Sequence, residues 1–215
     1  MESCSDCPFP PVAWARAALL YEGPARGALM RLKFGGLRSL AAALAPSMAG
    51  RLESDAAQTI VGRTGWVVTW VPLGTRRRRR RGFDQAEALA RPVGNLLGLP
   101  VRRVLRRAIE TGPQARRSGA ERRVALRGAF EAVGQIPERV LLVDDVLTSG
   151  ATAAACAEAL TSAGAREVGV VAAARSLGGP IPARCYTRDG SGPGLWLPEG
   201  GSFGSRCQPQ AKRPT

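Results

Sequence analysis

The sequence of 215 residues contains no histidine, so imidazole catalysis and metal binding through histidine are both excluded. No run of about 18 apolar residues is present, and the sequence therefore predicts no membrane-spanning helix. Aromatic residues make up only 5% of the chain, so the core must consist largely of Ala, Val and Leu. The N-terminal stretch MESCSDCPFP has neither a basic start nor an apolar run, so we expect no secretory signal and a cytoplasmic protein.

Cysteine is also scarce, and the five cysteines are too scattered to form a disulfide framework. A reducing compartment such as the cytoplasm fits this pattern. Cys4 and Cys7 have the CxxC spacing of metal ligands, but a structural zinc site needs about four ligands. We therefore expect that this pair does not bind zinc by itself. The alternatives are a site shared by two copies of the chain and a second cysteine pair upstream of Met1.

Acidic residues are outnumbered, because 17 Asp and Glu stand against 31 Lys and Arg and give a net charge of +14. Such an excess favours polyanions, including phosphate esters, nucleotides, nucleic acid and anionic membrane surfaces, without choosing among them. The excess is mostly arginine, and coding bias in a chain rich in Ala, Gly and Arg explains it equally well. The arginine run at 76–81 is predicted to form a loop that is either solvated or in contact with phosphate groups.

The composition divides the chain into one domain with two appendages. Residues 12–175 form the predicted domain, and residues 1–11 are a short Cys- and Pro-containing segment before it. Residues 176–215 are rich in Gly, Pro and Ser, and we expect a disordered tail.

Apolar periodicity places the first elements of the domain. It predicts helices over 24–34 and 37–52, and a strand over 66–71. Asp84 is expected to cap a further helix that runs to about Leu97. The strongly basic stretch after this helix, 103–127, is expected to cover a surface.

The clearest unit lies near the end of the domain and consists of strand, loop, helix and strand. The predicted elements are a strand over 139–143, a tight loop over 144–150, a helix over 151–163 and a second strand over 167–173. Such a succession predicts a parallel βαβ unit and hence an α/β fold, with a mainly parallel sheet flanked by helices.

The loop of this unit carries the candidate chemistry. Asp144 and Asp145 follow four apolar residues, at the strand end where open α/β sheets place their ligands. Backbone N–H groups and hydroxyls at the start of the next helix predict a phosphate seat, built from Thr148, Ser149, Gly150, Ala151 and Thr152. Two carboxylates beside it can accept hydrogen bonds from ribose hydroxyls, so a phosphate and a sugar diol are expected together.

The segment VLLVDDVLTSGAT, 140–152, resembles the phosphoribosyl pyrophosphate motif of type I phosphoribosyltransferases at every position. Three further segments resemble the ComF family of competence-associated, phosphoribosyltransferase-like proteins. They are LKFGG at 32–36, VPLGTRRRRRRGFDQAEALA at 71–90 and QARRSGAERRVALRGAF at 114–130. This sequence departs from the family where Asp84 and Ala125 replace Asn and where Arg117 replaces Leu. It also has a single CxxC pair where the family has a zinc ribbon of two pairs.

The resemblance implies a type I phosphoribosyltransferase-like fold and a site for phosphoribosyl pyrophosphate or ribose-5-phosphate with Mg²⁺. It implies pentosyl transfer as the activity, and a link to competence proteins and DNA uptake. Asp144 and Asp145 would hold the ribose and favour positive charge on the sugar, while the 148–152 turn clamps the 5′-phosphate. Lys33 and Arg81 would contact pyrophosphate or nucleic acid.

Two alternatives stay open at this point. In the first, the chain is a competence accessory protein that binds single-stranded DNA and has no transferase turnover. In the second, it is a regulator that keeps the fold but does not catalyse the reaction. A response-regulator receiver also has paired acidic residues after an apolar strand. That interpretation is set aside, because the pair lies too late in the chain and no Asp ends the strand at 167–173.

Overall fold

The structure is a computed structural model, and it describes residues 11–53, 65–109, 126 and 128–176. The two appendages lie outside these ranges apart from Pro11 and Ser176, and so does most of the basic 103–127 stretch. The strands are β1 Trp14–Leu20, β2 Trp66–Trp70, β3 Leu105–Arg107, β4 Phe130–Ala132, β5 Arg139–Leu147 and β6 Glu167–Arg175. The helices are α1 Gly23–Phe34, α2 Ser39–Glu53, α3 Thr75–Arg81, α4 Gln85–Leu96 and α5 Ala151–Ser162.

Four strands form a parallel sheet in the order β1-β6-β5-β2, and β3 and β4 form a separate antiparallel pair. In the centre, Val140 of β5 lies opposite Val168 of β6, and both are fully buried. Parallel strands covered on both faces have continuous apolar sequences, as in VLLV and VGVVAAA. The predicted α/β fold with a parallel sheet flanked by helices is therefore confirmed, including its β5-α5-β6 unit.

Side chains of β5 alternate between two packed faces of the sheet. Leu141 and Val143 pack with α1, α2 and α4, together with Trp14, Trp66 and Trp70. Val140 and Leu142 pack with α5 and with the β3–β4 pair, through side chains of which most are Ala, Val and Leu. We call these the α4 face and the α5 face.

The structure corrects the predicted loop at 76–81. These arginines form helix α3, which Gly82 ends with a left-handed φ of 77° and an N–H donated to the carbonyl of Arg78. Arginine is a good helix former, and Gly is the usual residue for a left-handed helix end. The run of charges therefore lies on a regular scaffold, with Arg76 and Arg78 through Arg80 exposed.

A second correction concerns the end of β5, because the strand continues beyond Val143 to Leu147. Asp144 lies opposite Ala172 of β6, and Val146 lies opposite Ala174, so the two aspartates belong to the strand and not to a loop. The turn is correspondingly short and begins at Thr148. Among the described helices, none is both long and apolar enough to span a bilayer.

Candidate functional site

The carboxyl end of β5 leads through a short turn into α5. Gly150 precedes the helix with a left-handed φ of 72°, which glycine adopts without strain, and no side chain caps the helix. The first helical bond runs from the N–H of Ala154 to the carbonyl of Gly150. The preceding N–H groups of α5 have no acceptor within the helix, so its positive end can bind an anion.

Three hydroxyl side chains surround this helix end. Thr148 is exposed, Thr152 is partly buried, and Ser149 is 9% exposed. Together with the backbone of Gly150 and Ala151, they form a polar turn on an otherwise apolar helix, which we call the 148–152 turn. The structure thus brings the five residues of the predicted phosphate seat to one helix end.

The two carboxylates at the end of β5 have different surroundings. Asp145 belongs to the α4 face and is 6% exposed, and its Oδ2 lies 3.0 Å from Nζ of Lys33. Strand alternation places Asp144 on the α5 face, where its negative charge contributes to the raised pKa of the buried Cys156 thiol, after the larger effect of burial. The N–H of Asp145 donates to Oδ1 of Asp144 at 2.8 Å. The carboxylates are therefore adjacent at one strand end and have different neighbours.

Asp144 has an unusual proton affinity. Burial raises the pKa of its carboxyl to about 8, and the negative charge of Asp145 adds to the shift. The hydrogen bond from the N–H of Asp145 and the charge of Lys33 act in the opposite direction without cancelling it. At neutral pH this carboxyl is therefore largely protonated, while its neighbour is paired with a cation. Strongly shifted carboxyls of this kind are frequent at functional sites.

Arg81, at the end of α3, is the second cation near Asp145. Its Nη1 donates to Oε1 of Gln85 at 2.8 Å, and its guanidinium lies over the ring of Phe34, 4.7 Å from the centroid. Burial lowers the pKa of Arg81, and the charge of Asp145 opposes this effect. The structure thus pairs Lys33, named from the sequence, with this carboxylate, and it places Arg81, also named from the sequence, near enough for the charge of Asp145 to act on it.

Gln85 and Phe34 are neighbours that sequence analysis missed. Phe34 directly follows Lys33, and Gln85 begins α4 four positions after Arg81, so both lie close in the sequence to a cation that the sequence had named.

Asp84 begins α4 as predicted and also has a second role. Its Oδ1 accepts the N–H groups of Ala86 at 3.0 Å and Glu87 at 3.4 Å. Its Oδ2 accepts the N–H of Leu73 at 2.7 Å, in the segment that follows β2. One buried carboxyl therefore ties the end of β2 to the start of α4, and so positions α3 between them. Cys4 and Cys7, the remaining residues predicted for a site, lie outside the described ranges.

Known proteins resemble this chain over most of its length. It is 31% identical over 180 residues to the DNA utilization protein YhgH of Salmonella typhi, which covers 81% of this chain and 78% of that protein. It is 34% identical over 111 residues to competence protein F of Haemophilus influenzae, which covers 49% of this chain and 48% of that protein. No family model matches the sequence.

Among solved structures, the chain partly superposes on the glutamine phosphoribosylpyrophosphate amidotransferase of B. subtilis complexed with ADP and GMP. The TM-score is 0.41 with 24% identity, over 63% of this chain and 26% of that chain. The α/β fold follows from the strand order and from the packing of helices on both faces of the sheet.

Proposed function

The chain belongs to the ComF family of competence-associated proteins, and we propose that it binds phosphoribosyl pyrophosphate or ribose-5-phosphate as a phosphoribosyltransferase-like protein. One observation carries the proposal. An uncapped helix N-terminus lined by hydroxyls directly follows two carboxylates at the end of a central parallel strand. A phosphate and a sugar diol are the groups that this pair of features suits, and they occur together in a phosphorylated pentose.

The 148–152 turn would hold the 5′-phosphate. Backbone N–H groups at the start of α5 point toward an anion there, and the helix dipole favours negative charge at the same place. The left-handed φ of Gly150 allows the chain to enter the helix without a side chain between the amides and the ligand. Hydroxyls of Thr148, Ser149 and Thr152 would complete the hydrogen bonds to the phosphate oxygens.

The two aspartates would bind the ribose. A carboxylate such as Asp145 accepts hydrogen bonds from hydroxyl groups, and the protonated carboxyl of Asp144 can both accept and donate one. In the proposed transfer, a nucleophile forms a bond to the anomeric carbon while the bond to the pyrophosphate oxygen breaks. Positive charge develops on the sugar, and nearby carboxylates stabilise it.

The same carboxylates suit Mg²⁺, which prefers oxygen ligands and commonly binds through one or two carboxylates together with substrate phosphates. Asp145 already faces a cation, since Lys33 Nζ lies 3.0 Å from its Oδ2. Asp145, the ionised member of the pair, would therefore hold the ion, which neutralises charge on the pyrophosphate when it is bound.

The phosphate seat can be tested with two threonines at opposite ends of α5. Thr152→Val removes a hydroxyl at the N-terminus, where we expect ribose-5-phosphate to bind about tenfold more weakly. Thr161→Val is the matched control, because the Thr161 hydroxyl donates within the helix to the carbonyls of Ala157 and Glu158. Isothermal titration of both variants measures the difference. Equal affinities for the two variants would contradict the proposed seat.

Helix α3 favours a second function, binding of single-stranded DNA. Arg78, Arg79 and Arg80 are exposed on consecutive positions of a short helix, and such a surface binds phosphates without sequence preference. The double variant Asp144→Asn/Asp145→Asn separates the two functions. We expect it to lose binding of the sugar phosphate and to keep binding of an oligonucleotide. Loss of both together would place DNA and sugar phosphate in one site, and loss of neither would refute the sugar-phosphate site.

A further inference from the structure

One aromatic side chain is exposed on helix α1, in a chain that contains few aromatic residues. Within the described ranges the other aromatic residues are buried or partly buried, whereas Phe34, the last residue of α1, is 58% exposed. Met30, one helical turn earlier, is 40% exposed, and Leu37, three residues later, is 47% exposed. We call these three residues the α1 apolar strip. Exposed apolar side chains that lie together mark a contact surface more often than isolated ones do.

The surroundings of the α1 apolar strip are strongly basic. Residues 23–52, which contain the strip, include no Asp or Glu. Arg26, Arg31 and Arg38 are exposed on the same segment. Helix α3, in which every residue after Thr75 is an arginine, contacts the end of α1. A partner that fits this surface must therefore combine negative charge with apolar or aromatic groups.

We propose that the α1 apolar strip, with Phe34 as its main contact, stacks against unpaired bases of a single-stranded nucleic acid whose phosphates lie on α3. This inference rests on the proposed binding of single-stranded DNA by α3 and deepens it. Arginines alone bind the phosphates of single and double strands, whereas an exposed aromatic ring distinguishes the two, because the bases of a duplex are already stacked. The partner selected is an unpaired strand with accessible bases.

Two contacts between arginine and phenylalanine fix α3 relative to the strip. The guanidinium of Arg81 lies over the ring of Phe34, 4.7 Å from its centroid. In the opposite direction, Arg38 lies over the ring of Phe83, also at 4.7 Å, and its Nη2 donates to the carbonyl of Gly82 at 3.1 Å. The end of α3 is therefore attached to the end of α1 through both contacts, and the phosphate and base contacts belong to one surface.

The ring of Phe34 keeps room for a base beside Arg81. A guanidinium is planar and covers one face of a ring, and the exposure of Phe34 leaves ring surface for a second planar group. Burial is the largest cause of the lowered pKa of Arg81, and the positive charges of Arg77 and Arg80 act in the same direction. Positive charge is thus concentrated beside the ring, where the phosphates that flank a stacked base would lie.

The test compares two strands of about twelve nucleotides, within the site sizes of proteins that bind single strands. One is oligothymidylate, and the other is an abasic strand that has the same phosphates and no bases. Wild-type protein should bind oligothymidylate about tenfold more tightly, which corresponds to the stacking of one base. Fluorescence anisotropy of the labelled strands measures both affinities.

Phe34→Ala should remove this preference. We expect it to bind oligothymidylate about tenfold more weakly and to leave the affinity for the abasic strand nearly unchanged. Phe34→Trp keeps an aromatic ring and should retain the preference. Leu96→Ala is the matched control, because Leu96 is 54% exposed at the end of α4, and this variant should bind both strands as wild type does. Thermal melting checks that Phe34→Ala is folded; if it is not, Phe34→Leu keeps the apolar bulk without the ring and should show the same loss.

Salt dependence separates base contacts from phosphate contacts. The slope of log affinity against log salt concentration counts the phosphates that the protein neutralises. Phe34→Ala should weaken binding without changing this slope, whereas Arg80→Gln should reduce it by about 0.7, the value for one phosphate of a single strand. An equal reduction for Phe34→Ala would mean that the ring acts only by holding Arg81, and it would overturn the inference.

The outcomes separate this inference from the proposed function. If wild-type protein binds neither strand, DNA binding by α3 fails and the inference fails with it, while titration with ribose-5-phosphate still tests the sugar-phosphate site. If wild-type protein binds both strands equally, DNA binding stands and base stacking on the strip is refuted. Vesicles that contain an anionic lipid test a membrane surface as the partner. If Phe34→Ala weakens vesicle binding and leaves oligothymidylate binding unchanged, the strip is a membrane contact and the inference is wrong.

Discussion

The two packed faces of the sheet differ sharply from its carboxyl edge, and strand β5 contains both kinds of environment. Val140 to Val143 are fully buried between helices on either side. The next two residues are aspartates, followed within a few positions by an uncapped helix N-terminus. The faces hold the molecule together by excluding water from apolar side chains, whereas the edge contains groups that folding alone does not favour.

Each group at the edge has an energetic cost in the unliganded protein. Asp144 is so disfavoured as an anion that its pKa rises to about 8, and burial lowers the pKa of Arg81. Asp145 and Lys33 form a largely buried ion pair, whose desolvation offsets much of its attraction. Groups that are energetically unfavourable in the unliganded protein are common at sites where they bind a ligand. Substitutions on the faces should therefore reduce stability, and substitutions at the edge should reduce binding first.

Gly169 on the α4 face offers the largest expected effect. In β6 it lies opposite Trp14 of β1, and a Cβ at this position would overlap the indole ring. Gly169→Ala must displace a core tryptophan that also packs against Trp66, so we expect a loss of more than about 3 kcal/mol in the free energy of unfolding. Urea denaturation measures this loss.

Gly27→Ala is the control for this substitution. A Cβ on Gly27, within α1, would meet no atom within 4 Å. There we expect a gain of about 0.5–1 kcal/mol, because alanine favours the helix. A similar, small effect at both glycines would show that the face is less tightly packed than described.

The sequence predicted the elements whose signals are local. The β5-α5-β6 unit and the cap by Asp84 each depend on residues close together in the chain, and both were found, although β5 runs four residues further than predicted. Membership of the ComF family, first indicated by the segments around Lys33, Arg81 and Asp144, is confirmed by the similarity to YhgH.

Long-range contacts account for what the sequence could not predict. The segment WARAALL becomes β1 because it pairs with β6, far along the chain, although its Ala and Leu would equally suit a helix. β3 and β4 are too short to stand out from the basic stretch around them. The pairing of Lys33 with Asp145 joins α1 to β5, and no local pattern announces it.

Substitution of Asp144, at the edge, should raise the stability of the protein, whereas substitution of Gly169 should lower it. Its pKa in the folded protein, about 8, lies above the ordinary value of 3.8, so the folded state binds this proton more tightly than the unfolded state. The resulting stability is complete below the ordinary value and is lost as pH rises toward 8. Asp144→Asn removes this pH-dependent loss of stability. Near pH 8, the variant should therefore have a free energy of unfolding larger than that of wild type by on the order of 2 kcal/mol.

Denaturation of both proteins across this pH range provides the measurement. The difference between them should vanish in acid and grow with rising pH. Glu158→Gln is a suitable control, because Glu158 is exposed on α5 and its substitution should give a small difference that does not vary with pH. A pH-independent difference for Asp144→Asn would mean that the carboxyl is ionised throughout. The variant should also bind ribose-5-phosphate more weakly, so that it gains stability at the expense of the site.

Asp84 lies between the two environments and has the smallest expected effect. Both of its oxygens accept backbone N–H groups, one set from α4 and one from Leu73. The ComF family has Asn at this position, but an amide has only one accepting oxygen, so Asp84→Asn must leave either the helix or Leu73 without its acceptor. We expect a loss of about 1 kcal/mol in the free energy of unfolding.

Glu87→Gln, the same change in the first turn of α4, is the control. It weakens only surface ion pairs with Arg78 and Arg91 and should lower the free energy of unfolding by less than about 0.5 kcal/mol. If Asp84→Asn and Glu87→Gln lower the free energy of unfolding equally in urea denaturation, the hydrogen bond from Leu73 to Asp84 contributes nothing to stability. Asp84 then stabilises the edge only through its bonds to α4.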